Sequence, residues 1–111
     1  MERPAPATAN AAAIEPARRL EALRGVIRTY GQRFRGNPVG NNAEITAALR
    51  SENPKGANLL DEAAGVVNER GELTDAWGTP YFFHQLSGTE MEIRSAGPDR
   101  RMYTADDLVT R

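Results

Sequence analysis

Ile14, Leu20, Leu23, Ile27, Tyr30 and Phe34 recur mostly at three- and four-residue spacing. On a helix this spacing gathers into one apolar stripe about five turns long. Such a stripe must be covered by something else in the chain. That requirement limits the fold more than any other feature of the sequence. Arg18, Arg19, Glu21, Arg24, Arg28 and Arg35 mostly occupy the remaining faces. Pro16 suits the first helical turn, where its missing N–H costs nothing. The pattern therefore predicts a helix over about residues 15–35. Gly25 and Gly31 each weaken that helix by roughly 1 kcal/mol relative to Ala, and close approach to another backbone would explain them. The stripe spans too few heptads to favour a coiled coil over packing on a sheet.

The material to cover it lies at the other end of the chain. The last third holds the only Trp, the only His, two of the three Tyr and two of the three Phe. Trp77-Gly78-Thr79-Pro80 is a turn signature, with Gly free to take positive φ and Pro fixing φ near −65°. Asp75 is placed to accept hydrogen bonds from the backbone N–H groups of that turn. Tyr81 to Leu86 is aromatic-rich and β-prone. Ser87-Gly88-Thr89 is turn chemistry, and Glu90 to Ser95 alternates polar and apolar residues. Two such runs joined by a short Gly-containing loop read as an antiparallel hairpin over residues 80–86 and 90–96. Met91 and Ile93 then face the core, and Glu90, Glu92 and Arg94 face water. Tyr81 and Phe83 share one face, Phe82 and His84 the other; alternation alone leaves open which pair is inside. A lone Trp in a turn beside the hairpin is expected to cover the core.

The rest of the chain reads as support. Residues 1–13 are rich in Pro and Ala and form a flexible N-terminal segment, since so little apolar surface does not offset ordering entropy. Arg35-Gly-Asn-Pro-Val-Gly40 breaks the first helix. Asn41 or Asn42 caps a short second helix, Ala43 to Arg50, with Ile45 and Leu49 as its apolar contacts. Ser51 to Asn58 is loop, and Leu59-Leu60 docks back on the core. Val66 to Leu73 is a small hairpin with Asn68-Glu-Arg-Gly71 at its tip. Residues 14–111 thus make a single domain of α+β class, a long N-terminal amphipathic helix packed on a small antiparallel sheet.

Composition excludes more than it points to. Net charge is −1, so nothing suggests a nucleic acid or an anionic membrane surface as partner. With no cysteine there are no disulfides, thiolate metal sites or Cys nucleophiles. The longest strictly apolar run is Ala11 to Ile14, far short of the roughly 20 residues that cross a bilayer. Met1-Glu-Arg-Pro4 has no apolar segment of the signal-peptide kind. His84 has no second His or Cys beside it, and Ser87 and Ser95 lack a nucleophile-elbow context. A small hydrolase using His84 and the nearby Asp residues is the weakest reading; the chain is expected not to be an enzyme. Arg100-Arg101 is a solvated basic pair. The best candidate site is acidic: Asp99, Asp106 and Asp107 lie within nine residues, beside Gly97 and Pro98. Hard cations such as calcium take roughly six to eight oxygens from carboxylates, carbonyls and water, and a loop returning on itself supplies them. The spacing is not that of an EF-hand. The same residues also serve to cap turns.

Two motifs here carry a resemblance. Asp75-Ala-Trp-Gly-Thr-Pro-Tyr-Phe-Phe83 resembles the Asp-Pro-Trp-Gly-Asn-Pro-Tyr signature of the major pseudopilin of type II secretion systems. Ser95-Ala-Gly-Pro-Asp99, followed by Thr104-Ala-Asp-Asp-Leu108, resembles that family's calcium-binding C-terminal loop. The likeness covers about residues 73–109, and the first helix agrees in kind. Ala76 stands where the family has Pro, and Arg100 where it has Gly. The resemblance implies a pilin-like soluble domain and a structural role in a secretion or pilus-like system. It implies pseudopilin-like subunits or secretion components as partners and a periplasmic location, with a membrane reached only through an upstream segment. It also implies Ca2+ held by Asp99 with Asp106 or Asp107 and by carbonyls near Arg101 to Tyr103. Two alternatives stand beside it: a non-polymerising periplasmic module that reuses the fold for binding, and a loop in which Arg100 or Arg101 folds back in place of the cation.

Overall fold

The computed structural model describes residues 5–51, 53, 55–56, 58–60 and 62–110. The first helix, α1, spans Ala5–Phe34 and is 30 residues long. At roughly 1.5 Å per residue it is about 45 Å long, close to the longest dimension of the molecule, 49 Å. Leu20, Leu23 and Ile27 of the expected stripe are buried, as is Val26, which the spacing omits. Tyr30 and Phe34 are half-buried and pack against each other, their rings tilted by 49° with centroids 4.6 Å apart. The side chain of Ile14 lies outside the described part.

The helix begins ten residues before the predicted start, within the stretch expected to be a flexible segment. Ala is the strongest helix former, so an Ala-rich run continues a helix that packing has already established. Residues 1–4 of that segment lie outside the described residues. Pro16 consequently sits in the helix interior, buried, where it removes an i→i−4 bond instead of capping a first turn. At the other end Arg35 takes a left-handed conformation, φ 62°, and Gly36 N–H donates to Gly31 O at 3.1 Å, which closes α1 with a Schellman-type turn.

The second helix, α2, spans Asn42–Arg50. Asn41 is its cap: its side chain accepts from Glu44 N–H at 2.9 Å while the Glu44 carboxylate accepts from Asn41 N–H at 2.8 Å. Asn42 does something else. Its amide donates to the carbonyls of Leu73 (3.0 Å) and Tyr81 (2.8 Å), and its oxygen accepts from Leu73 N–H (2.8 Å) and the Thr46 hydroxyl (3.0 Å). Both donors and both lone pairs are used, so one side chain ties α2 to two later segments.

A short 3-10 turn, Glu62–Ala64, leads into the predicted small hairpin, β1 (Val66–Val67) with β2 (Leu73–Thr74). The predicted main hairpin follows as β3 (Phe82–Gln85) and β4 (Met91–Ser95), antiparallel with Phe83 opposite Ile93. A third strand, β5 (Leu108–Thr110), pairs antiparallel with β4 and is absent from the sequence reading. The sheet order is β3-β4-β5. The chain is therefore α+β, with one long helix lying over a small antiparallel sheet. The core joins Leu20, Leu23 and Ile27 to Ile45, Leu49, Leu73, Tyr81, Met91 and Ile93, with Leu59 and Leu60 packed against it. Tyr81 and Phe83 face inward; Phe82 and His84 are exposed. Among the described residues no helix is long and apolar enough to cross a membrane.

Candidate functional site

The Trp77 turn is built on one carboxylate. Asp75 is buried, 3% exposed. Its Oδ1 accepts from the N–H groups of Trp77 and Thr79, each at 2.9 Å, as the sequence predicts. Its Oδ2 accepts from the Ser95 hydroxyl at 2.7 Å. Ser95 ends β4, so this bond brings the two motif segments of the sequence together in the interior. Gly78 supplies the positive φ, 84°, that the turn requires. Trp77 itself is half-buried and does not belong to the fully buried side chains. A ring at the tip of a turn is reached by the core from one side only. Tyr81, two residues past Thr79, is buried and donates its hydroxyl to Ala64 O at 3.3 Å. Burial, and then the charge of Asp75, push the Tyr81 hydroxyl pKa up.

Beyond Ser95 the chain makes the acidic loop. Gly97 has φ 80°, and a Cβ there would run into the Asp106 carbonyl, so the two limbs of the loop touch backbone to backbone. Arg100 and Tyr103 adopt positive φ, 59° and 65°. Asp99 accepts from Arg101 N–H at 2.9 Å and from the Thr104 hydroxyl at 2.7 Å. Asp107 accepts from Tyr103 N–H at 2.6 Å and from Thr104 N–H at 3.4 Å. Of the three candidate metal ligands, Asp99 and Asp107 thus converge on Thr104. Asp106 is exposed and meets the loop through its backbone.

Thr104 Oγ1 lies 2.7 Å from Asp99 Oδ2, 3.2 Å from Arg101 O and 3.3 Å from Asp107 Oδ1. One hydroxyl carries one proton. It goes to Asp99, the nearest acceptor, and the other two oxygens then face the hydroxyl with no hydrogen between. This all-oxygen cluster, short of protons, suits a hard cation in donor type. Against it stands the number of carboxylates: among the described residues no group of three or more His, Cys, Asp or Glu converges for a metal.

A cation of the protein's own already reaches the loop, and it is neither Arg100 nor Arg101. Both are exposed and neither side chain has an ion pair among the described residues. Arg94, expected to face water, is 18% exposed; its Nη1 donates to Asp107 Oδ2 at 2.9 Å, and its guanidinium lies over the Tyr103 ring at 4.6 Å. Glu92, also expected in water, is 13% exposed, with its Oε1 4.0 Å from Arg94 Nη2 and 3.4 Å from His84 Nδ1. The outer face of β4 is sheltered because the loop folds back across it, which alternation along one strand does not reveal. Burial works to raise the Asp107 pKa, but hydrogen bonds from Arg94, Tyr103 and Thr104 outweigh it and hold the carboxyl below the usual range. Phe82 completes the surface, its ring edge-on to Tyr103 at 6.1 Å.

No protein-family model, curated protein or solved structure matches this chain.

Proposed function

We propose that this chain is a structural subunit or accessory protein of a type II secretion or pilus-like system, periplasmic, with a pilin-like fold and no enzymatic role. The observation that carries the reading is the buried Ser95–Asp75 bond at 2.7 Å. It joins the Asp-Ala-Trp-Gly turn to the Ser-Ala-Gly-Pro-Asp loop, the two segments that resemble the major pseudopilin. The long α1 beside a small sheet supports it as well. In an assembly the exposed face of α1 packs on α1 of a pseudopilin-like neighbour. Because the chain has no cysteine, the test is clean. Arg18 and Arg33 are exposed on α1. Single Arg18→Cys and Arg33→Cys variants of the full chain, oxidised in the cells that make it, should give cross-linked species containing this chain. Monomer alone at both positions would sink the proposal.

The C-terminal loop is proposed to be stiffened by calcium. Asp99, Asp107, the Thr104 hydroxyl and the Arg101 carbonyl are the oxygens that would hold it, and Asp106 would contribute only if the loop rearranges. Extracellular sites of this type bind at roughly 10⁻⁴–10⁻³ M. Millimolar calcium should then stabilise the fold by on the order of 1 kcal/mol. Thermal melts with calcium and with chelator should differ, and Asp99→Ala should remove the difference. Coincident melts of the unaltered chain would sink the calcium reading and leave Arg94 as the counter-charge paired with Asp107.

A second reading, a non-polymerising binding module on the same fold, is favoured by an open cleft beside α1, lined by Ile27, Arg28 and Gly31 on one side and Glu90 and Met91 on the other. An upstream coding stretch of about 20 apolar residues would argue for the first reading over the second.

A further inference from the structure

Between the C-terminal half of α1 and the start of β4 lies a cleft of about 550 Å3. Small-molecule sites fall in the range of roughly 300–1,000 Å3. Ile27, Arg28, Gly31 and Gln32 form the helical wall, and Glu90 and Met91 the opposite one. Ile27 and Met91 are each 4% exposed and give the cleft an apolar base.

The cleft is open because of Gly31. Leu20, Leu23 and Ile27 point inward along α1; of the two positions that follow at that spacing, 30 carries Tyr and 31 has no side chain. A helical Gly is less favourable than Ala by roughly 1 kcal/mol. No clash demands it here: a Cβ would meet Gly36 O at 3.9 Å and Asn37 Oδ1 at 4.0 Å, ordinary contact distances. The close backbone approach that the sequence suggests for Gly31 is therefore not its role. What the missing side chain leaves is space.

The charges at the rim are uncommitted. Among the described residues the side chains of Arg28 and Glu90, on opposite walls, have no ion-pair or hydrogen-bond partner. Arg24, further along the same wall, differs in being paired with Glu21 at 3.3 Å. A guanidinium and a carboxylate facing one apolar base complement a molecule with both charges and an apolar body. A ligand with one charge would gain at one wall and be opposed at the other.

We propose that this cleft binds a small apolar zwitterion, a short peptide with free ends, its carboxylate on Arg28, its ammonium on Glu90 and its side chains over Ile27 and Met91. The proposal deepens the binding-module reading and uses neither the acidic loop nor assembly, so the cross-linking test of the filament reading and the titration below fail separately. The probe is leucyl-leucine, compared with its N-acetyl and C-amide forms, titrated into the 15N-labelled full chain. The amides of Gly31, Gly36, Thr89 and Met91 should shift saturably with the free dipeptide at millimolar concentration. Blocking either end should weaken binding roughly tenfold, as loss of one charged hydrogen bond does. Arg28→Met should weaken the free dipeptide about as much and erase its advantage over the amide. Glu90→Gln should erase its advantage over the N-acetyl form. Both residues are exposed, so these variants fold. Gly31→Leu, which fills the cleft, should abolish binding while the melting temperature holds or rises. Absence of saturable shifts at these amides overturns the proposal. So does a blocked dipeptide that binds as well as the free one, or binding that survives both charge variants.

Discussion

Asp75 and Asp107 are both carboxylates that hold turns together; what separates them is the source of their hydrogens. Asp75 takes two backbone N–H groups and one hydroxyl, all from neutral donors in the interior. Asp107 takes two backbone N–H groups and a guanidinium, on the outer face of the sheet. The first arrangement is complete without any charged partner. The second depends on a cation, and its neighbour Thr104 is short of protons for the oxygens around it. Buried carboxylates that close a fold can be neutralised by dipoles alone; a loop of several acidic groups needs positive charge, from Arg94 or from a bound ion.

The largest expected effect comes from breaking the neutral site. Asp75→Ala strands a buried hydroxyl and two backbone N–H groups, each costing about 1–3 kcal/mol. Urea unfolding should show a loss of about 3–5 kcal/mol, a large part of total stability. A loss under about 1 kcal/mol would mean that water replaces the carboxylate and that the site is not sealed. Next comes Gly97→Ala. It places a Cβ against the Asp106 carbonyl at φ 80° and should destabilise by about 2–3 kcal/mol. Urea unfolding measures that loss, and a stability unchanged within about 0.5 kcal/mol would show that the two limbs of the loop do not touch.

Arg94→Met tests the charged site directly. It keeps the aliphatic stem and removes the bond to Asp107, and should cost about 2 kcal/mol. If calcium is an alternative counter-charge, millimolar calcium should restore more stability to this variant than to the unaltered chain. Asp107→Asn concerns pH. The folded-state pKa of Asp107 lies below its unfolded value, near 3.9. Its contribution is therefore fully present above that value and is lost as pH falls through the folded pKa. Urea midpoints measured as acid is added should drop less steeply in that window for Asp107→Asn; superimposable profiles would show that the carboxylate gains nothing from its partners. The smallest effect belongs to His84→Ala. The ring is exposed and only 3.4 Å from one Glu92 oxygen, so stability should stay within about 0.5 kcal/mol.

Helix α2, both hairpins and the inward set Leu20, Leu23, Ile27, Met91 and Ile93 are legible in the sequence, because burial imposes a period that residue order records. The backbone bonds to Asp75 are legible for a similar reason: a carboxylate two and four residues before its donors is a local device. The pattern does not locate the start of α1, because the stripe marks what is packed, whereas helix continues wherever propensity permits. Strand β5 escaped because three residues carry too little alternation to be seen. Asn41 and Asn42 look equivalent in sequence, yet one caps a helix and the other clamps segments 31 and 39 residues away.

The candidate site divides the same way. Sequence determined that Asp99, Asp106 and Asp107 share a loop beside a Gly-Pro turn, and that the chain carries its aromatic residues near them. Only the tertiary structure decided that Asp99 and Asp107 meet at Thr104 while Asp106 does not, and that Arg94 supplies the positive charge. Neighbouring residues fix their own turns through hydrogen bonds of short span. Which cation reaches them from another strand depends on how the loop folds across the sheet, and that is set by packing between segments rather than by order along the chain.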